Sequence, residues 1–277
     1  MRAFKKSALA GALLMAGLTP GVGFAQMSME NTSFTIGLKT WVTNWNTWFT
    51  QNTANDIGNF ANTAVIKDVF NRKADSEATF IPQLTVRNGP WLISGSALAK
   101  KDFTFFLNSR NGNQLAEVTL ERREYDINFG YSLAAGAIVT LGWKDLRYEN
   151  SGGFKYTAKG PTIGIAGSAP LAAGVSMYGN IGYGRPKITD NSGEVEKTRG
   201  SYILTEVGLA YPLGQMNESL KTAVVTAGYR YQRLSSGNVT ARTVAVNNGQ
   251  VGAVIGERGV ELVDVTEGFT LGASFTF

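Results

Sequence analysis

The chain has 277 residues, 43% of them hydrophobic, with 33 glycines and 15 phenylalanines, which suits one large β domain or two smaller ones and excludes a disordered chain. It contains no cysteine and no histidine. Disulfides, thiol nucleophiles and thiolate metal sites are thereby excluded, along with the usual neutral-pH base and the commonest metal ligand.

Residues 1–25 open with Arg2, Lys5 and Lys6, continue through an apolar run from Ala8 to Leu18, and exit through Pro20 and Gly23-Phe24-Ala25. Charge, length and small-residue exit predict a secretory signal peptide, and the apolar run is too short for a membrane helix. The formal charge of +5 is concentrated here; beyond it 23 basic face 21 acidic side chains, a net of +2 that gives nucleic-acid binding no support. No later stretch is long and apolar enough to span a bilayer as a helix, so any crossing must use strands.

Period-two alternation, which puts apolar and polar side chains on opposite faces of a strand, begins at Ser33–Trp41, with Phe34, Ile36 and Leu38 opposing Thr35, Gly37 and Lys39. It returns at Glu77–Arg87, where Pro82 removes a ladder donor. After the Asn88-Gly89-Pro90 turn it resumes at Trp91–Lys100. Glu117–Leu133 is the clearest strand: Tyr125, Ile127, Phe129, Tyr131 and Leu133 oppose Glu124, Asp126, Asn128, Gly130 and Ser132. Further strands are predicted over Ile138–Tyr148, Phe154–Ser168 and Val175–Tyr183, then from Tyr202 to Tyr211 and from Ala223 to Gln232. An apparent hairpin at Asn247-Asn248-Gly249 precedes the last strand.

That last strand, Glu267–Phe277, puts Phe269, Leu271, Ala273, Phe275 and Phe277 on one face and Thr270, Gly272, Ser274 and Thr276 on the other. The pattern and its terminal Phe277 resemble the closing strand of bacterial outer-membrane β-barrel proteins. The resemblance implies that Phe269, Leu271, Phe275 and Phe277 form an assembly signal read by the barrel-insertion machinery. It also implies export through the periplasm, residence in the outer-membrane lipid, and a barrel domain over 26–277.

The expected fold is therefore all-β: a transmembrane antiparallel up-and-down barrel of about ten strands (range 8 to 12), each near the 9 to 11 residues a tilted crossing needs. Twelve would follow if the Asn247 hairpin also crossed. Short turns alternate with longer connections at 42–76, 101–116, 185–200 and 234–259, predicted to be the extracellular loops. Trp91, Trp143, Tyr131, Tyr211, Tyr229 and Phe277 lie near strand ends, where aromatic girdles form. A soluble sandwich shares the alternation, but not the leader, the aromatic terminus and the alternating loop lengths together.

The polar faces define the candidate site: Lys39, Glu124, Asp126, Asn128, Lys144, Glu206, Arg230 and Gln232, expected in the lumen as a pore lining or an internal salt-bridge set. Ten-stranded omptin proteases resemble this chain in strand number, but that family relies on histidine beside carboxylates. Barrel phospholipases and lipid A deacylases pair serine with histidine, so neither arrangement can be built here. Glu124 with Asp126 is the remaining carboxylate pair, read as structural ion-pair partners rather than catalysts. Gly179–Gly184 resembles a phosphate-cradling loop but sits in an alternating strand. In the first loop Trp41, Trp45, Trp48 and Phe49 stand at helical spacing and are read as interfacial anchors with a small cap, the alternatives being an inward constriction or plug and a grip on a glycan, lipid or surface partner. No cofactor and no metal are expected. The function this implies is a small porin-like channel for modest polar solutes. The alternatives are an adhesin or receptor whose loops hold a surface ligand and, less favoured, an enzyme working with carboxylates alone.

Overall fold

A computed structural model describes residues 32–47, 70–108, 114–134, 136–153, 155–191, 198–247 and 250–277. The predicted signal peptide, Trp48 and Phe49 lie outside the described residues.

Ten antiparallel strands close into a barrel. They are β1 (Thr32–Thr47), β2 (Phe70–Ala74 continuing as Glu77–Asn88), β3 (Trp91–Asn108), β4 (Gln114–Ala134) and β5 (Ala137–Asn150). The other five are β6 (Lys155–Pro170), β7 (Ser176–Gly184 continuing as Lys187–Asp190), β8 (Thr198–Arg199 continuing as Ser201–Pro212), β9 (Ala223–Asn247) and β10 (Gln250–Thr276). Each strand pairs with its neighbours in sequence, and β10 pairs back onto β1 from Thr276↔Thr35 to Asp264↔Thr47. Phe34 and Phe277 exchange backbone hydrogen bonds of 3.0 and 2.8 Å at the end of this seam. Pairing the last strand onto the first leaves neither end of the sheet as an edge within the barrel wall. The seam demands glycine at 268, where φ is +155° and a Cβ would fall 1.8 Å from the Val42 carbonyl oxygen.

The outward rows are those the alternation predicts. Phe269 is 69% exposed, Leu141 63% and Phe80 62%, and Ile127, Ile163, Ile181 and Val207 are exposed beside them. A continuous apolar girdle around a whole barrel far exceeds the patch a water-soluble monomer tolerates, and hydrocarbon is the medium that matches it. Trp91 stacks with Phe129 (5.2 Å) and meets Tyr131 edge-on (4.5 Å) beside the Gly89-Pro90 turn; Trp143, Tyr125 and Tyr183 stand exposed at the other margin. Aromatic rings at both margins mark the two lipid–water boundaries.

Beyond the Trp143 margin the strands continue as a second storey, and four expectations change. Loop 42–76 begins six residues late, because β1 runs on to Thr47 with Trp41, Thr43, Trp45 and Thr47 all buried inside. A spacing of four residues is a multiple of two as well as about one helical turn, so the Trp41–Trp45 interval fits a strand face equally. Both rings face the lumen and neither is an interfacial anchor. Loop 101–116 shrinks because β3 extends to Asn108 and β4 starts at Gln114. A bulge between Leu98 and Lys101 shifts the phase so that Phe103 and Phe105 turn inward, which hides the alternation from a simple reading. Loop 185–200 contains the continuations of β7 and β8, Lys187–Asp190 and Thr198–Arg199, which pair with each other. Loop 234–259 is largely a ladder: β9 and β10 stay paired to Asn247↔Gln250, so this hairpin lengthens two staves and adds none.

Pro82 also leaves its mark. The β2–β3 ladder spans Gln83–Asn88, stops beside Pro82, which has no N–H to give, and is next in register where Ala74 opposes Phe105, past the Leu98–Lys101 bulge.

Candidate functional site: a filled lumen

Inward positions alternate with the apolar rows, so the polar residues of separate strands converge by register alone. Lys39 on β1 donates to both carboxylate oxygens of Glu206 on β8, at 2.8 and 2.9 Å. Tyr178 on β7 donates to Glu206 Oε1 at 3.0 Å. Its ring fits because Gly208 and Gly228 face each other there; a Cβ on either would lie 2.6 or 2.5 Å from that tyrosine. Glu124 on β4 gathers Lys144 (2.7 Å), Arg122 (2.8 Å) and Gln232 (3.2 Å). Lys144 also reaches Asp126 at 3.0 Å. Arg230 stands between the two carboxylate centres, 3.7 Å from Glu124 and 3.8 Å from Glu206. The result is one lattice across the lumen.

Charge balances within it: Lys39, Arg122, Lys144 and Arg230 against Glu124, Asp126, Glu206 and Asp264. Except for the half-buried Asp126, these groups are all buried. Buried ions are tolerated when paired and hydrogen-bonded, and here all four cations lie within 4 Å of a carboxylate, with Glu124 and Glu206 each serving more than one cation. Glu124 and Asp126, the carboxylate pair that invited a catalytic reading, share Lys144 as a cation. Asn128 lies buried opposite Gly142, and Gly179–Gly184 is plain strand within β7.

Above the lattice the lumen turns apolar. Trp45 packs edge-on against Phe103 (5.0 Å) and Phe105 (5.2 Å) and lies 4.9 Å from Tyr148, which stacks on Tyr156. Leu120, Leu146, Ile188, Leu204 and Leu234 complete this cluster. Two sets of interactions, ring-stacked guanidinium groups and hydrogen bonds around Asp264 and Arg122, weld the layers together. The Arg122 guanidinium lies over the rings of Trp45 (5.2 Å) and Tyr148 (5.5 Å), and Arg230 lies over Trp41 (4.9 Å). Asp264 accepts from Trp45 Nε1 (2.7 Å) and Tyr148 Oη (3.0 Å), and Arg122 also donates to Thr266. Below the lattice, Leu92 and Ile138 are buried toward the short-turn end. A cavity bounded by Lys144, Thr162, Tyr202 and Leu234 measures about 10 Å³, room for roughly one water.

All eight candidate lumen residues therefore face inward, and the structure joins seven of them in one network or at its edge. Sequence reasoning missed Arg122, Asp264 and the inward Trp41 and Trp45. Arg122 shares the parity of Glu124 and Asp126, and Asp264 that of Thr266 and Thr270, so carrying the alternation further would have found them.

The chain is a closed ten-stranded β-barrel of the outer-membrane type, apolar outside and polar within across its lipid-facing belt. No family model and no curated protein matches it. Among solved structures it is similar to the outer membrane protease OmpT of Escherichia coli, at 14% identity and a TM-score of 0.41 over 92% of this chain and 99% of that one. A Pseudomonas aeruginosa FadL homologue matches at 12% identity and a TM-score of 0.33, over 93% of this chain and 66% of that one. An anion-selective porin from Comamonas acidovorans matches at 12% and 0.29, over 76% of this chain and 52% of that one. A barrel shape by itself names no activity.

Proposed function

We propose that this protein is a non-conducting barrel of the bacterial outer membrane, reached by export through the periplasm, that works at its surface as a receptor or adhesin. The observation that carries this reading is the filled lumen, where an ion-pair lattice and an aromatic cluster follow one another along the barrel axis. Moving an ion past them means breaking several buried, charge-assisted contacts at once. The second storey gives the surface role its means: the β9–β10 ladder continues about 19 residues past Phe269, roughly 60 Å measured along the strand. Phe269, Leu271, Phe275 and Phe277 line the outer face of β10 beside the closing seam, which supports their reading as an assembly signal.

The small porin-like channel is the second reading, and one observation favours it. The lattice consists of side chains rather than an inserted backbone segment, and side chains can move aside. Planar-bilayer recording of the purified protein separates the two. The surface reading expects no conductance steps at any applied voltage; regular steps would promote the channel.

A further inference from the structure

On one side of the wall, directly past the apolar belt, outward-facing cations collect across adjacent strands. The register sets Asp145 (β5), Lys159 (β6), Lys187 (β7) and Arg199 (β8) side by side across four adjacent strands. Arg185 lies on the same face of β7 as Lys187, between it and the exposed Tyr183 and Ile181 of the belt. Arg147 and Arg123 oppose each other on β5 and β4 just beyond. Asp145 already serves both Arg147 (2.6 Å) and Lys159 (3.1 Å). Among the described residues Arg185, Lys187 and Arg199 form no ion pair, and all three are exposed. On the far wall the first outward residues past the belt are Glu267 on β10 and Asn44 on β1, so the charge is one-sided.

Like charges placed directly opposite on neighbouring strands destabilise a sheet. A row of Lys159, Lys187 and Arg199 therefore has a cost that an anion bridging them would remove. Its height selects the anion. The cluster stands where the belt's aromatic margin ends, the level at which lipid headgroups meet water. Basic side chains there attract anionic headgroups, and guanidinium forks match phosphate oxygens.

We infer that the Lys159, Arg185, Lys187 and Arg199 face is a binding site for the phosphate of an anionic lipid headgroup, seated against the outer wall of β6–β8. The acyl chains of such a lipid would lie along Ile163, Ile165, Ile181 and Tyr183 directly beneath. The patch thus gives the barrel a preferred lipid and a preferred side facing it.

The test uses the full-length barrel in a neutral detergent. It is titrated separately with diphosphorylated lipid A, with phosphatidylcholine and with inorganic phosphate, and bound molecules are counted by native mass spectrometry. Lipid A should bind at least about tenfold more tightly than phosphatidylcholine. The double variant K187Q/R199Q should lose about tenfold of that affinity. The charge-keeping K187R/R199K should retain it, and so should K221Q, which removes an exposed lysine on the short-turn rim. Heat-modifiable gel migration establishes that each variant is folded. Unchanged lipid A binding by K187Q/R199Q would overturn the site. Inorganic phosphate binding as tightly as lipid A would also overturn it, since that describes a free-anion site.

Discussion

Between the short turns and the margin at Trp143, the strands of this barrel send mainly apolar side chains out and mainly polar ones in; past that margin several of the same strands do the reverse, while β10 keeps Asp264 and Thr266 inside. On β5 the outward series Val139, Leu141, Trp143 is followed without a change of parity by Asp145, Arg147 and Glu149. The inward series Thr140, Gly142, Lys144 is followed by Leu146 and Tyr148. The backbone is one continuous ladder, so the inversion comes from the surroundings and not from the fold. Hydrocarbon rewards an apolar exterior and leaves polar groups only the lumen, where they must satisfy one another. Water outside the second storey restores the ordinary preference for a buried apolar core. Glu124, Lys144 and Arg122 lie where the two regimes meet, and Arg122 belongs to both, bonded to Glu124 and stacked against Trp45 and Tyr148.

The largest effect should come from unbalancing the lattice. Glu206→Ala leaves Lys39 buried without its carboxylate, and unfolding in urea and detergent should show a loss of about 3–5 kcal/mol. Adding Lys39→Met should restore much of it. If the single variant is as stable as the parent, the lattice is not a core. Next is the belt: Leu141→Arg puts a charge on the lipid face and should cost about 2–4 kcal/mol near the bilayer middle. The smallest effect belongs to the outside of the second storey. Arg147→Ala removes a half-exposed partner of Asp145 and should change stability by less than about 1 kcal/mol. Equal costs for Leu141→Arg and Arg147→Ala would erase the distinction between lipid-facing and water-facing wall.

The belt was legible in the sequence because alternation is strict there: Tyr125–Leu133 and Phe269–Phe277 give strand, face and exposure at once. The second storey was hidden for the same physical reason that makes it distinct. Where polarity inverts along one strand, Asp145-Leu146-Arg147-Tyr148 reads as a fading apolar row rather than a new one facing the other way. The bulge at Leu98–Lys101 then displaced Phe103 and Phe105 from the expected parity. The lattice was half legible. Its members followed from face assignment, but which carboxylate holds which cation depends on stagger around the barrel, as with Lys39 and Glu206, 167 positions apart and on non-adjacent strands. The tryptophan pair 41 and 45 misled because its interval fits two periods.

Those tryptophans also offer the most direct test of the inversion. Variants retaining a single tryptophan, at 143 or at 45, are reconstituted in bilayers of brominated lipid, and their fluorescence is compared with that in unbrominated lipid and with added acrylamide. The account predicts strong quenching of Trp143 by bromine, and little quenching of Trp45 by bromine or by acrylamide, since that ring is sealed inside the second storey. Strong acrylamide quenching of Trp45 would mean an open, water-filled lumen, and bromine quenching of Trp45 would mean that it faces lipid; either result contradicts the filled barrel described above.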